Sequence, residues 1–99
     1  MTSGIEIRMN RILHKGKMLC IPMDHGISNG PIEGLEDPHS MIYKCEHHGL
    51  TSVIINKGIM KTLPKPTKIG LLVHFSSSTS LSTAPNRKML TGSVKEAIR

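Results

Sequence analysis

The stretch "CIPMDHGISNGP", residues 20–31, sets Asp24 and His25 directly after an apolar run and ahead of a glycine-punctuated loop. A carboxylate next to an imidazole is suited to moving protons, because their surroundings can tune both groups towards neutral pH. Two further apolar runs end on polar groups: "VII" leads into Asn56 and Lys57, and "LLV" leads into His74. Lys57 has two readings. Desolvated, its amine attacks a carbonyl to form an imine; solvated, it is a structural or electrostatic residue. Asp24 has two as well, a proton-moving carboxylate or the local cap of an Asp-Xaa-Gly turn.

A metal site would draw on "CEHH" (Cys45 to His48) with His25, His39 and His74. Adjacent residues of a helix project about 100° apart, so His47 and His48 do not share a face. The paired spacings of zinc modules are also missing, and no metal site is expected.

Strands that end beneath these groups must position them. "KMLCIPM" is apolar without alternation, the pattern of a strand buried on both faces of a parallel sheet. Pro22 belongs near its end, since proline cannot donate a ladder hydrogen bond. "LTSVIIN" and "IGLLVHF" repeat the pattern. Between the first two runs, "DPHSMIYKCEHHG" has helix punctuation at both ends, with Asp37 as N-cap, Pro38 at the first position and Gly49 as left-handed C-cap. Met41, Ile42 and Cys45 share its inner face, with Glu46 and His47 turned outward. "KGIMKTLPKPTK" carries two prolines that discourage a regular helix. "SSSTSLSTAPNRKMLTG" is either a loop over a sheet edge or a surface where hydroxyls and backbone N–H groups meet an anion. In "SVKEAIR", Ser93 and Glu96 form a capping box, and the helix they open stops too soon to be stable, so the fold is expected to continue past Arg99.

Strand, helix, strand implies a right-handed crossover and parallel pairing. Three such strands match the start of a doubly wound sheet or a (β/α)8 barrel, and both set their chemistry at the carboxyl ends of the strands. Asp24, His25, Asn56, Lys57 and His74 are therefore expected on one rim. No G-x-G-x-x-G follows the first strand, which argues against a dinucleotide site.

Composition narrows the partners. A chain of 99 residues carries at most one domain, and its aromatic residues are Tyr43 and Phe75 alone, so aliphatic side chains and seven Met must fill any core. The net charge of +6 is spread singly along the chain without interleaved aromatics. That favours a solvated basic surface suited to anionic small molecules over nucleic acid. Two cysteines without paired spacing, and a charged "MTSGIEIRMNRIL" start, point to a cytoplasmic chain with reduced thiols. No stretch approaches the ~20 apolar residues of a membrane span. Ile5, Met9 and Ile12 recur at helical spacing, with Leu13 beside them, predicting a short leading helix.

"IPMDHGISNGPIEGL" resembles the first strand and loop of the archaeal class I aldolase family, most closely its 2-amino-3,7-dideoxy-D-threo-hept-6-ulosonate synthase branch. Members of that branch typically read PMDHG followed by SNGP, whereas fructose-bisphosphate aldolases of the family usually read DHG followed by EHGP. "EIRMNRIL" is similar to the family's leading helix, "VIINKGI" to its second strand, "IGLLVHFSSSTSLS" to its third strand and loop, and "SVKEAIR" to the start of its third helix. The resemblance implies an α/β fold: the N-terminal portion, about three βα units, of a TIM (β/α)8 barrel, truncated. Residues 1–15 would be the leading helix, and 16–99 the first three strands with connectors and the start of the third helix.

For chemistry, the resemblance implies a Schiff-base aldolase or transaldolase that joins a phosphorylated sugar-derived donor to L-aspartate semialdehyde, towards 3-dehydroquinate and the aromatic amino acids. Asp24 matches the proton acceptor, and Asp24, His25, Gly26, Ile27 and Ser28 match the substrate-contacting segment. The family's Schiff-base lysine and proton-donor tyrosine have no matching positions here, so these residues by themselves are expected to be inactive. Neither a metal nor an organic cofactor is implied. Fructose-1,6-bisphosphate aldolase is the alternative reaction. A non-catalytic remnant or assembly partner is the alternative role, because an apolar "IGLLVHF" edge invites a homo-oligomer or a complementing chain.

Overall fold

The computed structural model describes residues 3–99; Met1, Thr2 and the side chains of Ile27 and Ser28 lie outside the described residues. The three apolar runs form one parallel sheet of β1 (Cys20–Pro22), β2 (Ser52–Asn56) and β3 (Gly70–His74) in that order. Cys20 lies opposite Ser52, and Asn56 opposite His74. A central β2 is shared by barrels and Rossmann-type sheets, and it differs from flavodoxin-like sheets, where β1 is central. Among the described residues both edges of the three-stranded sheet stay open, so the architecture is a partial parallel α/β sheet.

Val53 and Ile55 of β2 are fully buried and pack with Met23, Ile42, Cys45 and Ile69. Ile42 and Cys45 come from α3 (Pro38–Cys45), the crossover helix between β1 and β2. Its start follows the sequence punctuation: Asp37 accepts a hydrogen bond from the Ser40 N–H at 3.2 Å, and Pro38 opens the first turn. Its end comes earlier than Gly49. After Cys45 the chain tightens, with His47 N–H donating to Lys44 O and His48 N–H to Cys45 O, until Gly49 turns it at φ 78. Glu46, expected to face outward, folds back to accept from the Thr67 hydroxyl at 2.6 Å and the Lys68 N–H at 2.8 Å. These bonds, Thr67 first, hold its carboxyl below the usual value.

Two other expectations are corrected. β1 is not buried on both faces: it is three residues long, and Leu19 and Ile21 are 53% and 39% exposed. The physical reason is its edge position, with β2 on one side and no strand on the other among the described residues. The segment after β2 does begin as a helix, α4 (Lys57–Lys61), because Pro64 and Pro66 lie beyond its end and leave its first turns free to form. His39 of α3 caps this region, its Nε2 lying 3.2 Å from Ile59 O and 3.0 Å from Thr62 Oγ1. The hydroxyl-rich segment after β3 closes a small antiparallel hairpin of β4 (Ser76–Ser77) with β5 (Met89–Leu90), joined by the loop 78–88.

The helix α1 (Ser3–Ile12) brings its last turn over the start of β3. Contact is close: a Cβ on Gly70 would stand 2.5 Å from Ile12 Cγ2 and 2.7 Å from Arg11 O. Only glycine permits this approach. Ile5 and Met9 remain exposed, so Ile12 alone of that helical stripe meets the sheet closely.

Candidate functional site

A cavity of about 190 Å³ opens at the carboxyl ends of the strands, lined by Asp24, His25, Asn29, Asn56, His74, Ser76, Ser77 and Lys88. A wider groove of about 1340 Å³ lies at the opposite end, between α1 and the starts of β2 and β3. The smaller one is the chemical candidate. Parallel α/β sheets place their reactive groups at strand carboxyl ends, and here four of the five expected side chains meet.

Strand register explains the convergence. Asn56 and His74 are paired across β2 and β3, and Met23 donates its N–H to Ile54 O at 2.7 Å, carrying the end of β1 alongside. Asp24 therefore emerges next to the ends of the other two strands. Its Oδ2 lies 2.5 Å from His74 Nδ1, and His74 Nε2 lies 2.8 Å from Ser76 Oγ. Asn56 donates its amide to the Asp24 backbone oxygen at 3.5 Å. Although Asp24 stands at the N-cap position of α2 (His25–Asn29), its side chain makes no capping hydrogen bond. The local-turn explanation of this aspartate loses its main contact, and the side chain is committed to His74 instead.

His25 also lines the cavity, and its Nδ1 is buried without a hydrogen-bond partner among the described residues. Gly26 sits exposed in α2, which continues through Ile27 and Ser28. Lys57 is the expected residue that does not join. Its ammonium turns to Glu96 of α5 (Val94–Ile98) at 3.2 Å, and Lys61 reaches the same carboxylate oxygen at 3.5 Å. An ammonium paired to Glu96 and outside the cavity lining is not placed to attack a carbonyl bound there. The same contact, Lys57 first, holds the Glu96 carboxyl below its usual value. Ser93 does cap α5, accepting from the Glu96 N–H at 3.2 Å, but the Glu96 side chain reaches across to α4 instead of completing the box.

Sequence reasoning passed over Asn29, Ser76, Ser77 and Lys88 as individual site residues. The signal for the serines was their position immediately after the third strand; for Lys88 it was invisible, because residues 78–87 separate it from β4. Among the described residues no three His, Cys, Asp or Glu gather as a metal site. Both cysteines are free thiols. No helix of the described residues is long and apolar enough to cross a membrane.

Comparison with known proteins places this geometry in context. The chain is 37% identical over 98 residues to a 2-amino-3,7-dideoxy-D-threo-hept-6-ulosonate synthase of Halobacterium salinarum, covering 98% of this chain and 37% of that protein. It is 37% identical over 97 residues to 2-amino-3,7-dideoxy-D-threo-hept-6-ulosonate synthase 1 of Archaeoglobus fulgidus, covering 96% of this chain and 36% of the relative. A 2-amino-4,5-dihydroxy-6-oxo-7-(phosphonooxy)heptanoate synthase of Streptomyces griseus is 28% identical over 98 residues, again with 36% of the relative covered. The chain thus spans a little over a third of the length of the curated relatives it matches. The model of the DeoC/LacD family aldolases matches residues 18–99, from the residues before β1 through the rim and α5, and the chain belongs to that family.

Proposed function

We propose that this chain supplies the first strands and part of the active-site rim of a Schiff-base aldolase or transaldolase of the 2-amino-3,7-dideoxy-D-threo-hept-6-ulosonate synthase kind. In this reading the three parallel strands belong to a (β/α)8 barrel. The observation that carries it is Asp24, which follows β1 at the cavity and binds His74 in place of capping its own helix.

The chemistry divides accordingly. Aldol and transaldol reactions through an imine need an amine that attacks the donor carbonyl and a carboxylate that moves protons as carbon–carbon bonds form and break. Asp24 provides the carboxylate, and His25, Gly26, Ile27 and Ser28 lie beside it along the substrate-contacting segment. Lys57 does not provide the amine, since it is engaged with Glu96. The amine and the proton-donor hydroxyl then come from chain beyond these 99 residues or from a complementing chain. A sugar-derived phosphate donor and L-aspartate semialdehyde are the proposed substrates, on a route towards 3-dehydroquinate and the aromatic amino acids, in the cytoplasm.

A second reading has its own observation. The exposed Met18, Leu19 and Ile21 along β1 favour an assembly partner that completes a barrel in trans. Borohydride reduction of the native polypeptide that contains "CIPMDHGISNGP", in the presence of each donor, tests both. An adduct on a lysine outside this chain, formed with the transaldolase donor and not with fructose 1,6-bisphosphate, supports the synthase. An adduct on Lys57, or none on any chain of the isolated assembly, overturns it.

A further inference from the structure

The rim holds a hydrogen-bond chain that a lone proton-accepting carboxylate does not require. An ionised Asp24 has only acceptor oxygens, so the contact from His74 Nδ1 at 2.5 Å fixes that nitrogen as N–H. A neutral imidazole then presents Nε2 as an acceptor, and the Ser76 hydroxyl 2.8 Å away donates to it. The three residues come from different places, the start of α2 after β1, the end of β3 and β4, so Ser76 ties the hairpin to the tautomer of His74. The Asp24 and His74 side chains are 18% and 32% exposed, which leaves both within reach of the cavity.

We propose that His74, held in one tautomer by Ser76, is the positioning residue for Asp24, fixing its carboxylate at the rim in the orientation from which it accepts a proton. The inference rests on Asp24 being the proton acceptor. The other titratable or charged groups lining the cavity are His25 of α2 and Lys88 before β5, and among the described residues no carboxylate besides Asp24 lines it.

The test uses the native polypeptide containing this chain, labelled with ¹⁵N-histidine. Ring-nitrogen shifts at neutral pH are expected to show His74 protonated at Nδ1 and accepting at Nε2, with Asp24→Asn and Ser76→Ala each releasing a mixture of tautomers. A His74 protonated at Nε2 in the unaltered protein overturns the proposal. In turnover, His74→Ala is expected to lower kcat by on the order of 10²-fold with KM little changed, the cost of a misplaced catalytic group. His74→Asn restores an N–H donor, so it should recover most of kcat, whereas a His74→Asn enzyme as slow as His74→Ala contradicts the proposal. Failure of the underlying reading is separately visible: full turnover by Asp24→Asn removes Asp24 as the acceptor whatever the tautomer of His74.

Discussion

β2 and β1 are hydrogen-bonded neighbours built from similar apolar runs, yet they live in different environments. Val53 and Ile55 of β2 are 0% exposed, flanked by a strand on each side, whereas Ile21 of β1 is 39% exposed and Leu19 before it 53%. Burial on both faces is a property of position in the sheet, and an apolar run earns it only when neighbours arrive. The strand with two partners holds the buried core, and the edge strand β1 leaves apolar side chains exposed. α5 extends the contrast, since Val94 and Ile98 are exposed and the helix is tied down through Glu96 rather than by a buried face.

The largest expected effect lies at β2. Ile55→Ala should cost about 2–5 kcal/mol by urea unfolding, the usual range for a buried aliphatic truncated to a cavity. Ile21→Ala should cost much less, and equal costs at the two sites would break the comparison. Next is Gly70→Ala, where the new Cβ meets Ile12 and the backbone of Arg11, so the last turn of α1 must shift. Overpacking of this kind costs about 1–3 kcal/mol. Preserved stability and unchanged amide exchange in α1 would show that its seat on β3 is loose.

A smaller effect on stability is expected for Ile21→Thr, within about 0.5 kcal/mol, as at other exposed positions. Its readout is association: sedimentation should show the isolated chain as oligomeric and Ile21→Thr shifted towards monomer. A monodisperse unaltered chain would remove β1 as the associating edge. The smallest effect is the pH response of α5. The Glu96 carboxyl titrates below its usual value when folded, so its contribution is present above the unfolded pKa and is lost as pH falls through the folded one. Amide protection across α5, corrected for intrinsic exchange, should therefore fall in acid before that of β2, and Glu96→Gln should flatten the difference.

Much of the site was legible because strand ends can be read without knowing what covers the strands. Asp24, Asn56 and His74 each follow an apolar run, and parallel register alone brings them together. The helix α3 was legible at its start for an equally local reason, the Asp37–Pro38 pair. What could not be read depends on long-range partners. Lys57 shares the sequence context of the rim residues, but Glu96, distant in sequence, captures its ammonium. Likewise Glu46 reads as an outward residue until Thr67 and Lys68 arrive from the β2–β3 connection. The hairpin that carries Ser76 and Lys88 to the cavity has strands of two residues each, too short for any periodicity to announce.

The most direct test of the central claim is the turnover of L-aspartate semialdehyde with the phosphorylated sugar-derived donor by the native polypeptide containing this chain, unaltered and as Asp24→Asn. Loss of proton transfer at Asp24 predicts a fall in kcat of about 10²–10⁴-fold with the fold intact. Undiminished turnover in Asp24→Asn would contradict the account.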